Sequence, residues 1–100
     1  MRNIERLSKK IKKDKYSSRI FKLHVRNKYV AVYHEYLHVK LVGIEVFQIL
    51  RKKLTKRTST ERYPNAEDFG LTAYHYPASE YNQAMIKFIE LKNYYKKKKR

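Results

Sequence analysis

Residues 33–38 read Tyr-His-Glu-Tyr-Leu-His, and within them His34, Glu35 and His38 spell H-E-x-x-H. On a helix this is the pattern of a zinc hydrolase. Residues i and i+4 stack on one face, so His34 and His38 would hold one ion while Glu35 acts as general base. Glu45, Asp68 or His75 would supply a third ligand. With Zn–N bonds near 2.0–2.1 Å, the two ligating nitrogens must lie within about 3–4 Å of each other. On a strand His34 and His38 would again share a face, but about 13 Å apart at roughly 3.3 Å per residue. The conformation of residues 29–42 therefore decides between a metallopeptidase and an accident of spelling.

A helix there would line Val30, Tyr33, Leu37, Leu41 and Ile44 along one side. A strand would turn Leu37, Val39 and Leu41 inward and Tyr36, His38 and Lys40 outward. Eleven of the twenty-two residues in 29–50 are Val, Ile, Tyr or Phe, which favours strand. Lys40 also stands where metallopeptidases place a small or apolar residue, and no glycine-and-histidine extension follows. The strand is the expectation, with no catalytic residue and no cofactor. The alternative is a zinc site of His34 and His38 with Glu35 catalytic.

Other catalytic signals are thin. Glu67-Asp68-Phe69-Gly70 carries the D-F-G letters of a kinase, but there is no glycine-rich phosphate loop and no H-R-D sequence. A turn in which Phe69 docks into the core and Gly70 relaxes the backbone accounts for it better. The chain has no Cys, which excludes disulfides, thiolate ligands and a Cys nucleophile together.

Charge carries more information. Lys and Arg number 25 against 9 acids, a formal +16. Residues 1–28 hold 11 bases and 2 acids, residues 51–62 hold 6 and 1, and residues 92–100 hold 6 and none. The stretches between are near neutral, so a neutral core carries three cationic blocks. Such blocks repel each other, and a polyanion relieves that repulsion. Phosphate anchors are expected at Lys9, Lys10, Lys12, Lys13, Lys15, Arg19, Arg51, Lys52, Lys53, Lys56 and Arg57. Ten tyrosines accompany them. Most are needed for a small core, but alternation would leave Tyr36, Tyr74 and Tyr76 on an open sheet face where bases can stack. Tyr94 and Tyr95, beside the lysine tail, could do the same.

The elements that must hold these residues follow from periodicity. Ile4, Leu7 and Ile11 recur at helical spacing after Asn3, a possible N-cap, so residues 1–18 read as a short helix or a basic arm. Phe21, Leu23 and Val25 alternate with Lys22, His24 and Arg26, as in a half-buried strand, and Arg26-Asn27-Lys28 reads as a turn. Gly43 predicts a turn or bulge between two further strands. Residues 51–62 read as a basic hairpin loop or a mobile connection, and Leu71–Pro77 as a short strand stopped by Pro77. Ser79 then caps a helix over 80–95 whose core stripe is Tyr81, Ala84, Met85, Phe88 and Leu91. Residues 96–100 form a disordered lysine-rich tail. No apolar run approaches the roughly 20 residues of a membrane helix, and the N-terminus lacks the apolar stretch of a secretory signal. A soluble, cytoplasmic chain is expected.

Residues 44–91 carry a further pattern: "EVFQILRKK", then "ERYPNAEDFGLTAYHYP", then "SEYNQAMIKFIEL". It resembles a family of small, functionally uncharacterised proteins from phages and mobile elements of Bacteroidetes-like bacteria, with Tyr74 standing where that family has Trp. The resemblance implies an antiparallel sheet with a C-terminal helix, a strand at 44–50, and residence in a host cytosol. It implies no activity, and His34 and His38 lie outside it.

The reading is then an α+β chain with a small antiparallel sheet of three or four strands over 19–76, packed by the C-terminal helix in one domain, 19–95. Its expected work is binding without catalysis. The partner would be nucleic acid, with RNA favoured, or a ribonucleoprotein or nuclease complex, as for a phage accessory or anti-defence (anti-CRISPR-like) protein. An adaptor for an acidic protein surface is the other alternative beside the zinc peptidase.

Overall fold

The computed structural model describes residues 3–11, 18–53, 58–64 and 66–98. Eight strands and one long helix succeed one another. They are β1 (Asn3–Glu5), β2 (Lys10–Ile11), β3 (Arg19–Arg26), β4 (Val30–Leu37), β5 (Lys40–Gln48), β6 (Leu50–Lys53), β7 (Thr58–Arg62), β8 (Ala73–Pro77) and α1 (Tyr81–Lys98). The main sheet has five antiparallel strands in the order β2-β3-β4-β5-β8. A second sheet, β1-β7-β6, pairs β1 parallel with β7 and β6 antiparallel with it. The α+β expectation holds, with five strands in the main sheet where three or four were expected.

β4 explains the layering. Val30, Ala31, Val32, Tyr33, His34 and Glu35 are all buried, so this central strand is covered on both faces. Val30 and Val32 join Ile44 and Val46 of β5 against Ala84 and Phe88 of α1. Ala31 and Tyr33 join Phe21, Phe47 and Ala73 on the other face, closed over by Leu7, Tyr63 and Phe69 from the connecting segments. Each fully buried Val or Ile contributes about 1.5–3 kcal/mol relative to exposure. Tyr33 stacks on Phe47 at 5.6 Å, and its hydroxyl donates to the Ser8 carbonyl at 2.6 Å. Burial pushes that phenol up to about 12.

Helix α1 buries the expected stripe of Tyr81, Ala84, Met85, Phe88 and Leu91, extended by Tyr95. Ser79 is no cap. It lies inside a 3-10 turn, Ala78–Glu80, whose N-cap is Pro77 without a side-chain hydrogen bond. The helix also runs through Lys96 and Lys97 to Lys98, where the sequence predicted a disordered tail. Lysines there face the negative end of the helix dipole.

The N-terminal helix is absent from 3–11, which form strand, coil and strand instead. Leu7 is buried, its N–H donates to Glu61 at 3.0 Å, and the Lys9 carbonyl accepts from Leu23 N–H at 2.8 Å. Tertiary partners thus override the helical spacing of three apolar residues, too few to sustain a lone helix. The turn at Asn27 forms as expected, its side-chain oxygen accepting the N–H groups of Tyr29 and Val30, both at 2.8 Å. The next turn falls at His38-Val39, with Leu37 paired to Lys40. His38 there adopts φ 57°, and Val39, expected to face inward, is 96% exposed.

Gly43 sits mid-strand in β5, opposite Glu35, beside a register shift in the β4–β5 ladder. It permits a side-chain hydrogen bond to cross the strand. Glu35 Oε1 lies 2.9 Å from His75 Nε2, and an added Cβ at Gly43 would lie 2.7 Å from both atoms. Gly70, with φ 92°, closes the turn after the 3-10 helix Ala66–Asp68, and Phe69 packs on the core as expected.

Candidate nucleic-acid interface

The H-E-x-x-H residues separate. His34 is buried in β4 and stacks on His24 at 4.0 Å, while His38 is exposed in the turn after the strand. Burial, and then the neighbouring His24, lowers the His34 pKa and holds the ring neutral. Its Nε2 is buried with no hydrogen-bond partner among the described residues. Glu35 is equally unsuited to activate water on a shared ion. Burial raises its pKa, but hydrogen bonds with His75 and Arg19 outweigh that and hold it below the usual carboxylate range. Arg19 Nη1 donates to Glu35 Oε2 at 2.6 Å. Of the third-ligand candidates, His75 is on Glu35 and Asp68 pairs with Arg62 at 3.1 Å. No group of three or more potential metal ligands occurs among the described residues. The helix that the zinc alternative requires is absent here: β4 is extended through Leu37, and His38 lies in the turn that follows.

The expected phosphate anchors fall in several places. Lys12, Lys13, Lys15, Lys56 and Arg57 lie outside the described residues. Lys9 and Lys10 are exposed beside β3, where Lys10 pairs directly with Lys22. Like charges in that register repel. Arg19 is engaged by Glu35. Arg51, Lys52 and Lys53 are exposed along β6.

The three tyrosines expected on an open face are not equivalent. Tyr76 packs into the core under α1, because β8 is a sheet edge that the helix covers on that side. Tyr74 is half-buried with Lys87 4.3 Å above its ring, and its hydroxyl donates to the Leu71 carbonyl at 3.1 Å. Tyr36 lies 5.3 Å beneath Lys22.

One end of the main sheet does gather charge and aromatic surface. Here the β3–β4 turn, the β5–β6 junction and the last turns of α1 meet around a groove of about 580 Å³. Lys28 and Tyr29 come from the turn, Gln48 and Arg51 from the junction, and Tyr94 and Tyr95 from the helix. Two backbone bonds fix the walls. Ile49 N–H donates to the Tyr29 carbonyl at 2.7 Å, and Gln48 N–H to the Thr72 carbonyl at 2.8 Å. Tyr94 is 52% exposed and meets Tyr95 edge to face at 5.1 Å and 79°.

A second hollow adjoins the first through the shared residues Lys28 and Arg51, and adds Arg6, Arg26 and Asn27. Arg26 is already neutralised, donating to both oxygens of Glu61 at 2.5 and 2.8 Å. That leaves Lys28, Arg51 and Arg6 as the cations of the two hollows, and among the described residues no acidic side chain lines either one. The arrangement sets cations beside exposed aromatic surface, the two kinds of group that contact phosphates and bases. Sequence reasoning found Arg51, Tyr94 and Tyr95. It missed Lys28 and Arg6, whose only signal was membership in a basic block, and Tyr29 and Gln48, which lie in a near-neutral stretch.

The chain matches no family model, no curated protein and no solved structure. No described helix is long and apolar enough to cross a membrane.

Proposed function

We propose that this protein is a non-enzymatic, basic nucleic-acid-binding protein that holds a phosphate chain across the joined hollows at the Asn27 end of its main sheet. The observation that carries the reading is the shared Lys28–Arg51 pair. Three cations from three separated segments line two hollows that share this pair, with no carboxylate among the described lining residues. Lys52 and Lys53 continue the positive strip along β6, and Lys96 and Lys97 stand beside Tyr95 at the end of α1. Lys and Arg in such positions anchor phosphates without reading sequence. Naked RNA and the exposed RNA of a ribonucleoprotein offer the same chemistry. An accessory or anti-defence role in a phage, acting on a guide RNA or its nuclease, would use such a surface.

Binding of a fluorescein-labelled oligonucleotide, followed by anisotropy, tests the proposal. Release of counterions from four to six phosphates of a single strand lowers affinity by about 50- to 300-fold between 50 and 200 mM salt. The double reversal Lys28→Glu/Arg51→Glu abolishes most of this binding while the thermal midpoint stays near that of the wild type, since both side chains are exposed. Undetectable binding to any nucleic acid at 50 mM salt would overturn the reading. So would an unchanged affinity in the double reversal.

A further inference from the structure

We infer that the groove selects single-stranded over double-stranded nucleic acid, stacking one unpaired base on Tyr94 with its edge toward Gln48. This rests on the nucleic-acid reading above and deepens it.

Shape is the first argument. Duplexes are read by convex elements, a helix or a two-stranded ribbon, that enter a major groove about 12 Å wide. Here the cations line a concavity whose floor includes Ile49, only 8% exposed. A duplex would bridge the rims and leave that floor empty, whereas a base turned out from a single strand can reach it. The volume of about 580 Å³ falls within the range of small-molecule sites, about 300–1,000 Å³.

The second argument is the aromatic corner. Tyr94 and Tyr95 stand nearly at right angles, at 79°, so a planar ring stacked on one meets the edge of the other. Aromatic rings prefer these offset and edge-to-face contacts. Tyr94 is 52% exposed, so it keeps surface that a base can cover.

Gln48 supplies the third argument. Its amide carries both a donor and an acceptor, which suits the mixed edge of a base, whereas a phosphate's acceptor-only surface would use its donor alone. Gln48 pairs with Val30 across the sheet, and Lys28 and Arg51 line the same groove from the turn and from β6. A strand held by these two cations would direct a base toward Gln48 and Tyr94.

The experiment compares anisotropy titrations of the full chain against a mixed-sequence 12-mer single strand, as RNA and as DNA, and a 12-base-pair duplex, all at 100 mM salt. Wild type binds the single strands at least about tenfold tighter than the duplex. Tyr94→Ala weakens single-strand binding by about 5- to 150-fold, the fold-change that corresponds to the loss of one base–aromatic stack. Tyr94→Phe restores it, which separates stacking from a hydroxyl contact or a folding defect. Gln48→Ala gives a smaller loss that varies with the base sequence. Equal affinity for duplex and single strand, with steep salt dependence retained, overturns this inference and leaves the nucleic-acid reading standing. Failure to bind either form at 50 mM salt removes both. Polyglutamate competing as well as the single strand also overturns it, because charge alone would then suffice.

Discussion

Replacing Glu61 with Gln should remove a large share of this protein's stability. The Glu61 side chain is 0% exposed, accepts two bonds from Arg26 at 2.5 and 2.8 Å and accepts a third from the Leu7 N–H at 3.0 Å. It thereby ties β7 of the small sheet to β3 of the main sheet and to the segment between β1 and β2. A neutral amide leaves the Arg26 guanidinium, 16% exposed, without its counter-charge. Breaking a buried pair from one side costs about 3–5 kcal/mol. Against a total of about 5–15 kcal/mol for a small domain, that is a large share. At roughly 4–8 °C per kcal/mol, the thermal midpoint should fall by more than about 12 °C.

The assay is urea unfolding followed by circular dichroism, run on Glu61→Gln, Arg26→Met and the double variant Arg26→Met/Glu61→Leu. The double variant should recover at least half of the loss, because two apolar side chains leave no charge stranded. The pH dependence follows from the same pair. The hydrogen bond from Arg26 holds the Glu61 carboxyl below its ordinary value of 4.5, so its contribution is present above that value and is lost as pH falls through the lower folded pKa. Glu61→Gln should flatten this acid limb. A single variant within 1 kcal/mol of wild type, taking about 1 kcal/mol as the scatter of an ordinary surface change, would refute the reasoning. Strict additivity in the double variant would refute it too.

Two further perturbations bear on the sheet. Gly43→Ala should open the Glu35–His75 contact and destabilise by about 1–3 kcal/mol, the range for a charged hydrogen bond, yet add nothing further when combined with His75→Ala. Urea midpoints check this, and a fully additive pair would sink it. His34 titrates below its ordinary 6.5 in the folded chain, so the unfolded chain takes up that proton first and stability declines as pH falls below 6.5. His34→Phe should remove this component between pH 6.5 and the carboxylate range, and profiles that superpose with wild type would contradict it.

How legible this was in the sequence varies by element. Helix α1 was plain, because Ala84, Phe88 and Leu91 recur at helical spacing and meet one partner surface. β3 was equally plain from its alternation. The N-terminal strands were not, since their stability lives in distant partners: Ile4 pairs with Ser59, and the Leu7 N–H bonds to Glu61. Val39, β-branched and apolar, concealed a turn whose only local signal is the tolerance of His38 for positive φ. Gly43 signalled an irregularity correctly, but its purpose is clearance for two side chains crossing above it. The groove was half visible. Its aromatic and β6 contributions stand beside lysine runs, whereas Lys28 and Gln48 matter only because three remote segments converge.

The parallel pairing of β1 with β7 sets an order of assembly. The β3–β4 and β4–β5 hairpins close through neighbours and can form early, at small loop-closure entropy. Asn3, Ile4 and Glu5 pair with Thr58, Ser59 and Thr60, so during synthesis β1 waits until its template emerges from the ribosome. In that interval the core around Tyr33 and Phe47 stays unsealed until Leu7 packs on it.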